Sequence, residues 1–164
     1  MYGMWWGFAL NSSHKNHLSD GGSQGGYVVF LSDNKDIGCP LSWKSTKTKR
    51  IVRSTLAAET LAFTEGADTA FLMAKIVGEI VTGKESMIPI HCMTDNKSLF
   101  DASQTTNLIS DKRLQVEIAS IRQMIERNEI QIKWITSSEQ IADCLTKNGA
   151  SSDRLCRVLN HAKF

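Results

Sequence analysis

The chain is poor in proline. Pro40 and Pro89 are the only two, so no proline-rich linker divides it into separate parts. Its four cysteines, Cys39, Cys92, Cys144 and Cys156, are scattered, with no CxxC pair and no histidine cluster. That pattern argues against a zinc site. Cys92 and Cys144 lie in apolar-periodic segments and read as small buried hydrophobes of a reducing, intracellular compartment, cytoplasmic or nuclear. No apolar run reaches bilayer-spanning length, and no membrane association is expected. The apolar opening, Met1 to Leu10, lacks a basic leader and a cleavage site, so it reads as a buried strand and not a signal peptide. A glycine-rich phosphate loop, a Ser-His-Asp order and a thiol nucleophile with a partner are all missing, which leaves little room for the common enzymes built on them. Acidic residues are missing from the start of the chain as well: none stands ahead of Asp20.

What is present suits one domain around one core, since the chain has 164 residues, 41% of them hydrophobic. A formal net charge of +2 is too small to imply nucleic acid by itself. Its distribution says more. Lys44, Lys47, Lys49, Arg50 and Arg53 follow one another with no acid among them. Such a run is either a solvated edge or a track for a phosphate backbone.

Three strands are expected first: Trp5 to Ser12, Gly26 to Leu31, and the alternating Leu41 to Ser45. The turn-rich stretch around Asp20-Gly21-Gly22 separates the first two. The period then changes. Leu56, Phe63, Ala67, Ala70, Phe71, Ala74, Val77 and Ile80 recur at three- and four-residue steps, predicting a long helix from Ser54 to about Ile80, capped by Ser54 or Thr55 and ended by Gly83. A short strand, Ile88 to Met93, follows, then a helix from Asn96 to Ala102, a polar loop, and a helix carrying Leu114, Ile118, Ile121 and Ile125 that closes near Asn128. Glu129 to Ile135 alternates strictly and predicts a strand. Ser137 with Gln140 suggests a capping box for a last helix through Leu145. Residues 1–148 are expected to form the domain and 149–164 a helical tail. Helices between the later strands imply parallel pairing, hence a mixed sheet flanked by helices.

Three carboxylates occupy odd places. Glu59 has mostly apolar helical neighbours, Leu56, Ala62 and Phe63, and needs either a cation partner or a bound metal. Asp95 ends a buried strand, where it can cap the next helix or serve chemistry. Asp143 sits between Ile141-Ala142 and Cys144-Leu145, with Lys147 one turn on as an ion-pair alternative. If the three converge, like charges repel unless cations neutralise them. Oxygen-seeking Mg²⁺ (or Mn²⁺) suits that role. Two such ions can activate a water and steady a leaving 3′-oxygen in phosphodiester cleavage.

Arg53-Ser54-Thr55-Leu56-Ala57-Ala58-Glu59, Thr94-Asp95-Asn96-Lys97-Ser98 and Glu139-Gln140-Ile141-Ala142-Asp143-Cys144-Leu145-Thr146-Lys147 together resemble the ribonuclease H domain of Ty1/copia-type retrotransposon polyproteins. Gly21 to Tyr27 and the helix leading into Ile130-Gln131-Ile132 share the likeness. The resemblance runs from about Leu10 to Lys147. It implies a ribonuclease H-like α/β fold, a five-stranded mixed sheet in the order 3-2-1-4-5, and Mg²⁺-dependent hydrolysis of the RNA strand of RNA–DNA hybrids. Glu59, Asp95 and Asp143 match three of the family's four metal-binding acids. The fourth closes the first strand and, counted back from Asp20-Gly21, falls on Ser12. Asn11 and Asp20 are the other polar residues in reach, and neither restores a strand-end acid. The resemblance therefore implies an impaired enzyme or a non-catalytic module that binds nucleic acid or a protein partner. Lys44, Lys47, Lys49, Arg50, Asn96 and Lys97 are the expected nucleic-acid contacts, with Trp43 expected in the core. A reverse transcriptase domain is the implied neighbour within a polyprotein, and the domain itself is expected to be monomeric.

Overall fold

A computed structural model of the chain describes residues 5–13, 23–32, 38–48, 52, 54–106, 111–147 and 149–161. Five strands form one sheet: β1 (Trp5–Ser13), β2 (Gln24–Ser32), β3 (Gly38–Lys47), β4 (Ile90–Thr94) and β5 (Ile130–Trp134). Their order is β3-β2-β1-β4-β5. β1, β2 and β3 pair antiparallel, whereas β4 runs parallel to both β1 and β5.

The apolar run in β2 reflects its place inside the sheet. Tyr27 and Val29 pack into one core, Val28 and Phe30 into another on the opposite side. A strand covered on both faces needs apolar residues at consecutive positions, not alternate ones. β3 is an edge and tolerates Pro40, which cannot donate to a ladder. The β2–β3 register shifts beside it, between Val29 and Phe30.

The long helix α1 (Thr55–Thr82) opens where the Ser54 hydroxyl accepts the Ala57 N–H at 3.1 Å. It ends at Gly83, whose left-handed φ of 67° lets its N–H reach the Glu79 carbonyl. Phe63, Ala67, Ala70 and Ala74 line its buried stripe, and the small side chains let the helix lie close on the sheet. After β4 come α2 (Lys97–Gln104) and α3 (Lys112–Glu126), the latter stopped by Asn128 at φ 55°. Leu99, Leu114, Ile118 and Ile121 complete the larger core.

The C-terminal part departs from the single helix expected through Leu145. The capping pair is Thr136 with Glu139, one residue earlier than Ser137 with Gln140. The Glu139 carboxylate accepts the Thr136 N–H at 3.2 Å and its hydroxyl at 3.1 Å. This tight closure makes a 3₁₀ turn, Ser137–Glu139, and the chain bends at Gln140 before a short α4 (Asp143–Thr146). Then α5 (Asp153–His161) lays Val158 beside Val28, Phe30, Ile141 and Ala142. Within the expected tail 149–164, Val158 of α5 thus contributes to the second face of the sheet.

Two further expectations meet the structure differently. Trp43 is 65% exposed, on a strand that stands at the edge of the sheet. Cys92 is fully buried, as a small hydrophobe should be, while Cys144 is half-buried; all four cysteines are free. No helix among the described residues is long and apolar enough to cross a membrane.

Candidate acidic site at the β4–α4 end of the sheet

β4 ends at Thr94, and its register with β5 carries the next backbone link, Ile135 N–H to Thr94 carbonyl, at 2.9 Å. The cap of α2 is Asn96, whose Oδ1 accepts the Leu99 N–H at 2.9 Å. Asp95 is therefore excused from capping. Its Oδ2 instead accepts the Ser137 hydroxyl at 2.8 Å, while its backbone carbonyl accepts the Trp134 indole N–H at 3.1 Å. The 3₁₀ turn thus steadies the Asp95 side chain directly.

α4 is held against the sheet by two features of the first strands. The Ser45 hydroxyl of β3 donates to the Leu145 carbonyl. Gly26 of β2 has no side chain, and a Cβ there would stand 2.8 Å from Thr146 Cγ2 and 3.3 Å from Leu145 Cβ. Only glycine permits that approach. The first residue of α4, Asp143, is thereby brought to the end of the sheet where Asp95 sits.

The Asp143 carboxyl responds to three influences. Burial raises the Asp143 carboxyl above its ordinary range, Lys147 pulls it back down, and the charge on Asp95 adds a smaller upward push. Lys147 is the immediate partner, its ammonium lying 2.9 Å from both Asp143 oxygens. The i+4 ion pair anticipated as the plain alternative for Asp143 is present.

Glu59 is buried, 5% exposed, on the sheet-facing side of α1. One turn along, Ala62 lies over β2: a Cβ built on Gly25 would stand 3.4 Å from that of Ala62. Among the described residues, no three His, Cys, Asp or Glu side chains are grouped to hold a metal ion. Glu59 therefore does not complete a ligand set with Asp95 and Asp143, and the donor set as it stands does not fit the implied Mg²⁺ or Mn²⁺. An ammonium already occupies the carboxylate face of Asp143, which is chemically the place a divalent cation would need.

β1 passes beside this end. Its parallel register with β4 runs without a shift from Trp6 opposite Ile90 to Leu10 opposite Thr94. Toward β2, Asn11 pairs with Gly26 and Ser12 with Gly25.

The anticipated nucleic-acid contacts are divided. Lys44 is ion-paired to Glu65 of α1, and the hydrogen bond it donates to that carboxylate raises its ammonium above the usual lysine range. Lys47 is exposed at the end of β3, and Lys49 and Arg50 lie outside the described residues. Asn96 spends its amide oxygen on the cap. Lys97 is exposed, with its ammonium 5.7 Å from the centre of the Trp134 ring. Trp134, 41% exposed, and Ser137 were not among the anticipated site residues. Trp134 is the last residue of β5, where its indole N–H reaches the Asp95 carbonyl.

The architecture is that of the ribonuclease H fold. The N-terminal ribonuclease H domain of Rv2228c from Mycobacterium tuberculosis superposes with a TM-score of 0.65 at 14% identity, over 94% of this chain and 97% of that one. LC11-RNase H1, isolated from compost and solved in complex with an RNA/DNA hybrid, gives 0.59 at 17% identity, over 93% of this chain and 99% of that one. In sequence the chain is similar to the retrovirus-related Pol polyprotein from transposon TNT 1-94 of Nicotiana tabacum, at 27% identity over 126 residues. That match takes in 76% of this chain and spans 9% of the polyprotein. No family model matches the chain. Fold and sequence thus both return the likeness to a retroelement ribonuclease H domain that the motifs carry.

Proposed function

We propose that the chain is the ribonuclease H domain of a copia-type retroelement Pol polyprotein, that it engages RNA–DNA hybrids at the β4–α4 end of its sheet, and that its hydrolytic step is impaired. The observation that carries this reading is the meeting of Asp95 and Asp143. They come from a strand end and a short helix 48 positions apart and belong to the same end of the sheet, where the charge on Asp95 is one of the groups that reach the Asp143 carboxyl. The exposed pair Lys97 and Trp134 beside Asp95 supplies a cation and an aromatic face suited to a phosphate and a base or sugar. Mg²⁺ or Mn²⁺ is the cofactor that this reading implies, with Glu59, Asp95 and Asp143 as its ligands in a complete site. The strand-end acid is absent, and losing a metal ligand lowers rates by orders of magnitude. In the polyprotein setting a reverse transcriptase domain is the natural neighbour, and the isolated domain is proposed to act as a monomer inside the cell.

A second reading, a non-catalytic module that binds nucleic acid or a protein partner, draws support from Lys147. An Asp143 already paired with its own ammonium needs no metal as its partner. One experiment separates the two. A labelled RNA–DNA hybrid is incubated with the chain in Mg²⁺ and then in Mn²⁺, and binding is measured in parallel at several salt concentrations. We expect salt-sensitive hybrid binding with cleavage far below that of a ribonuclease H carrying all four acids. Robust cleavage that disappears in Asp95→Asn would overturn the impairment. Absence of hybrid binding would overturn the nucleic-acid reading.

A further inference from the structure

We infer that the position whose missing carboxylate leaves this site short of a metal ion is Asn11, not Ser12, and that Lys147 serves in the metal's place as the counter-cation of the acid pair. The inference deepens the reading above and rests on it for the site's purpose, though its geometry stands independently.

The register is the first support. β1 and β4 stay in step through five consecutive parallel pairs, the last being Leu10 with Thr94. The next pair in step is Asn11 with Asp95. The antiparallel side agrees. Asn11 pairs with Gly26, the glycine packed under Thr146 and Leu145 of α4, the helix that begins with Asp143. Ser12 pairs with Gly25, which lies against Ala62 of α1. Successive strand positions belong to opposite faces of a sheet, so position 11 belongs with α4 and position 12 with α1. Counting back from Asp20 gave Ser12 because it assumed a loop length. Strand pairing needs no such assumption.

The second support is charge. Asp95 and Asp143 are two negative groups in mutual range, and Lys147 places one positive group 2.9 Å from both oxygens of Asp143. Lys147 is thus committed to Asp143 and not to Asp95. Ser137 further satisfies Asp95 through its hydroxyl. Asn11 is a neutral residue by sequence, and Mg²⁺ favours anionic oxygen. A carboxylate there would supply a third acid at an end where the described residues group no three.

The test measures metal binding, not turnover. Mn²⁺ is titrated into the unmodified chain, Asn11→Asp and Ser12→Asp, with free Mn²⁺ followed by its paramagnetic signal and folding checked by circular dichroism. We expect Asn11→Asp to bind Mn²⁺ about tenfold more tightly than the unmodified chain, or better, and Ser12→Asp to match the unmodified chain. A gain in Ser12→Asp without one in Asn11→Asp would overturn the assignment. So would equal affinity in all three folded proteins. Lys147→Gln addresses the counter-cation: its melting temperature should fall and be partly restored by Mg²⁺, while the unmodified chain is indifferent to Mg²⁺. An identical Mg²⁺ response in both overturns that half. Hybrid binding by the same preparations in EDTA reports separately on the proposed function. Its absence would sink that reading without touching the metal result.

Discussion

The two faces of the sheet are built by different means. On one side, α1, α2 and α3 cover a core in which fourteen of the described residues are buried, from Tyr27 and Phe63 to Ile121 and Ile130. On the other, the C-terminal segments cover five: Val28, Phe30, Ile141, Ala142 and Val158. The first face is held by area, through a 28-residue helix roughly 40 Å long. The second is held by particular contacts: the Glu139–Thr136 closure, the Ser45–Leu145 hydrogen bond, the Gly26 approach and the Lys147–Asp143 pair. Asp143 rides on that second, thinner face. A site there gains short, adjustable supports at the cost of stability, because local opening is cheapest where few apolar groups are buried.

Truncating the larger core should give the largest effect. Phe63 is fully buried on α1, so Phe63→Ala is expected to lower unfolding free energy by about 3–5 kcal/mol, read from urea midpoints. A loss under about 1 kcal/mol would mean that the α1 face is not the stability centre. Next comes Gly26→Ala. Its new Cβ would meet Thr146 and Leu145, and overpacking of this kind costs about 1–3 kcal/mol. Its signature is local: amide exchange should accelerate in α4 and not in α3. Uniform acceleration would erase the distinction between the faces.

Val158→Ala removes two buried carbons from the small core, roughly 1.6 kcal/mol of transfer energy. Hydrogen exchange in α5 should quicken by about tenfold, since 1.4 kcal/mol is a factor of ten, while Phe63 and its neighbours keep their protection. Smallest is Glu139→Gln. The Thr136 N–H pulls the Glu139 carboxyl below the usual glutamate range. A depressed folded value contributes stability that is present above the unfolded glutamate range and lost as pH falls through the folded value. The unmodified chain should therefore lose stability more steeply than Glu139→Gln as pH falls below the usual glutamate range, and salt should shrink the difference. Parallel pH profiles would show that the closure contributes nothing.

Periodicity revealed the first face well. The 3.6-residue recurrence from Leu56 to Val77 marks α1, Ser54 and Gly83 mark its ends, and the run in β2 shows a strand covered on both sides. These signals are local, since each depends on which face of its own element is buried. The second face was less legible. Thr136 and Glu139 form the closure one residue ahead of the pair expected, because several Ser, Thr, Glu and Gln side chains in a row satisfy the same spacing. Trp43 was expected inside, yet its strand is an edge, and strand order is not written in any one strand. Ser137 and Trp134 beside Asp95 had no signal at all, being ordinary residues made relevant by neighbours.

By itself, the sequence determined the periodic elements, the oddly placed carboxylates and the absence of an acid before Asp20. Those are properties of composition and spacing along one chain. The tertiary structure decided which of them meet: it made Asn96 the cap and freed Asp95, and it set Lys147 on Asp143. It also ran β1 in step with β4 as far as Leu10 and Thr94, because register is a relation between strands.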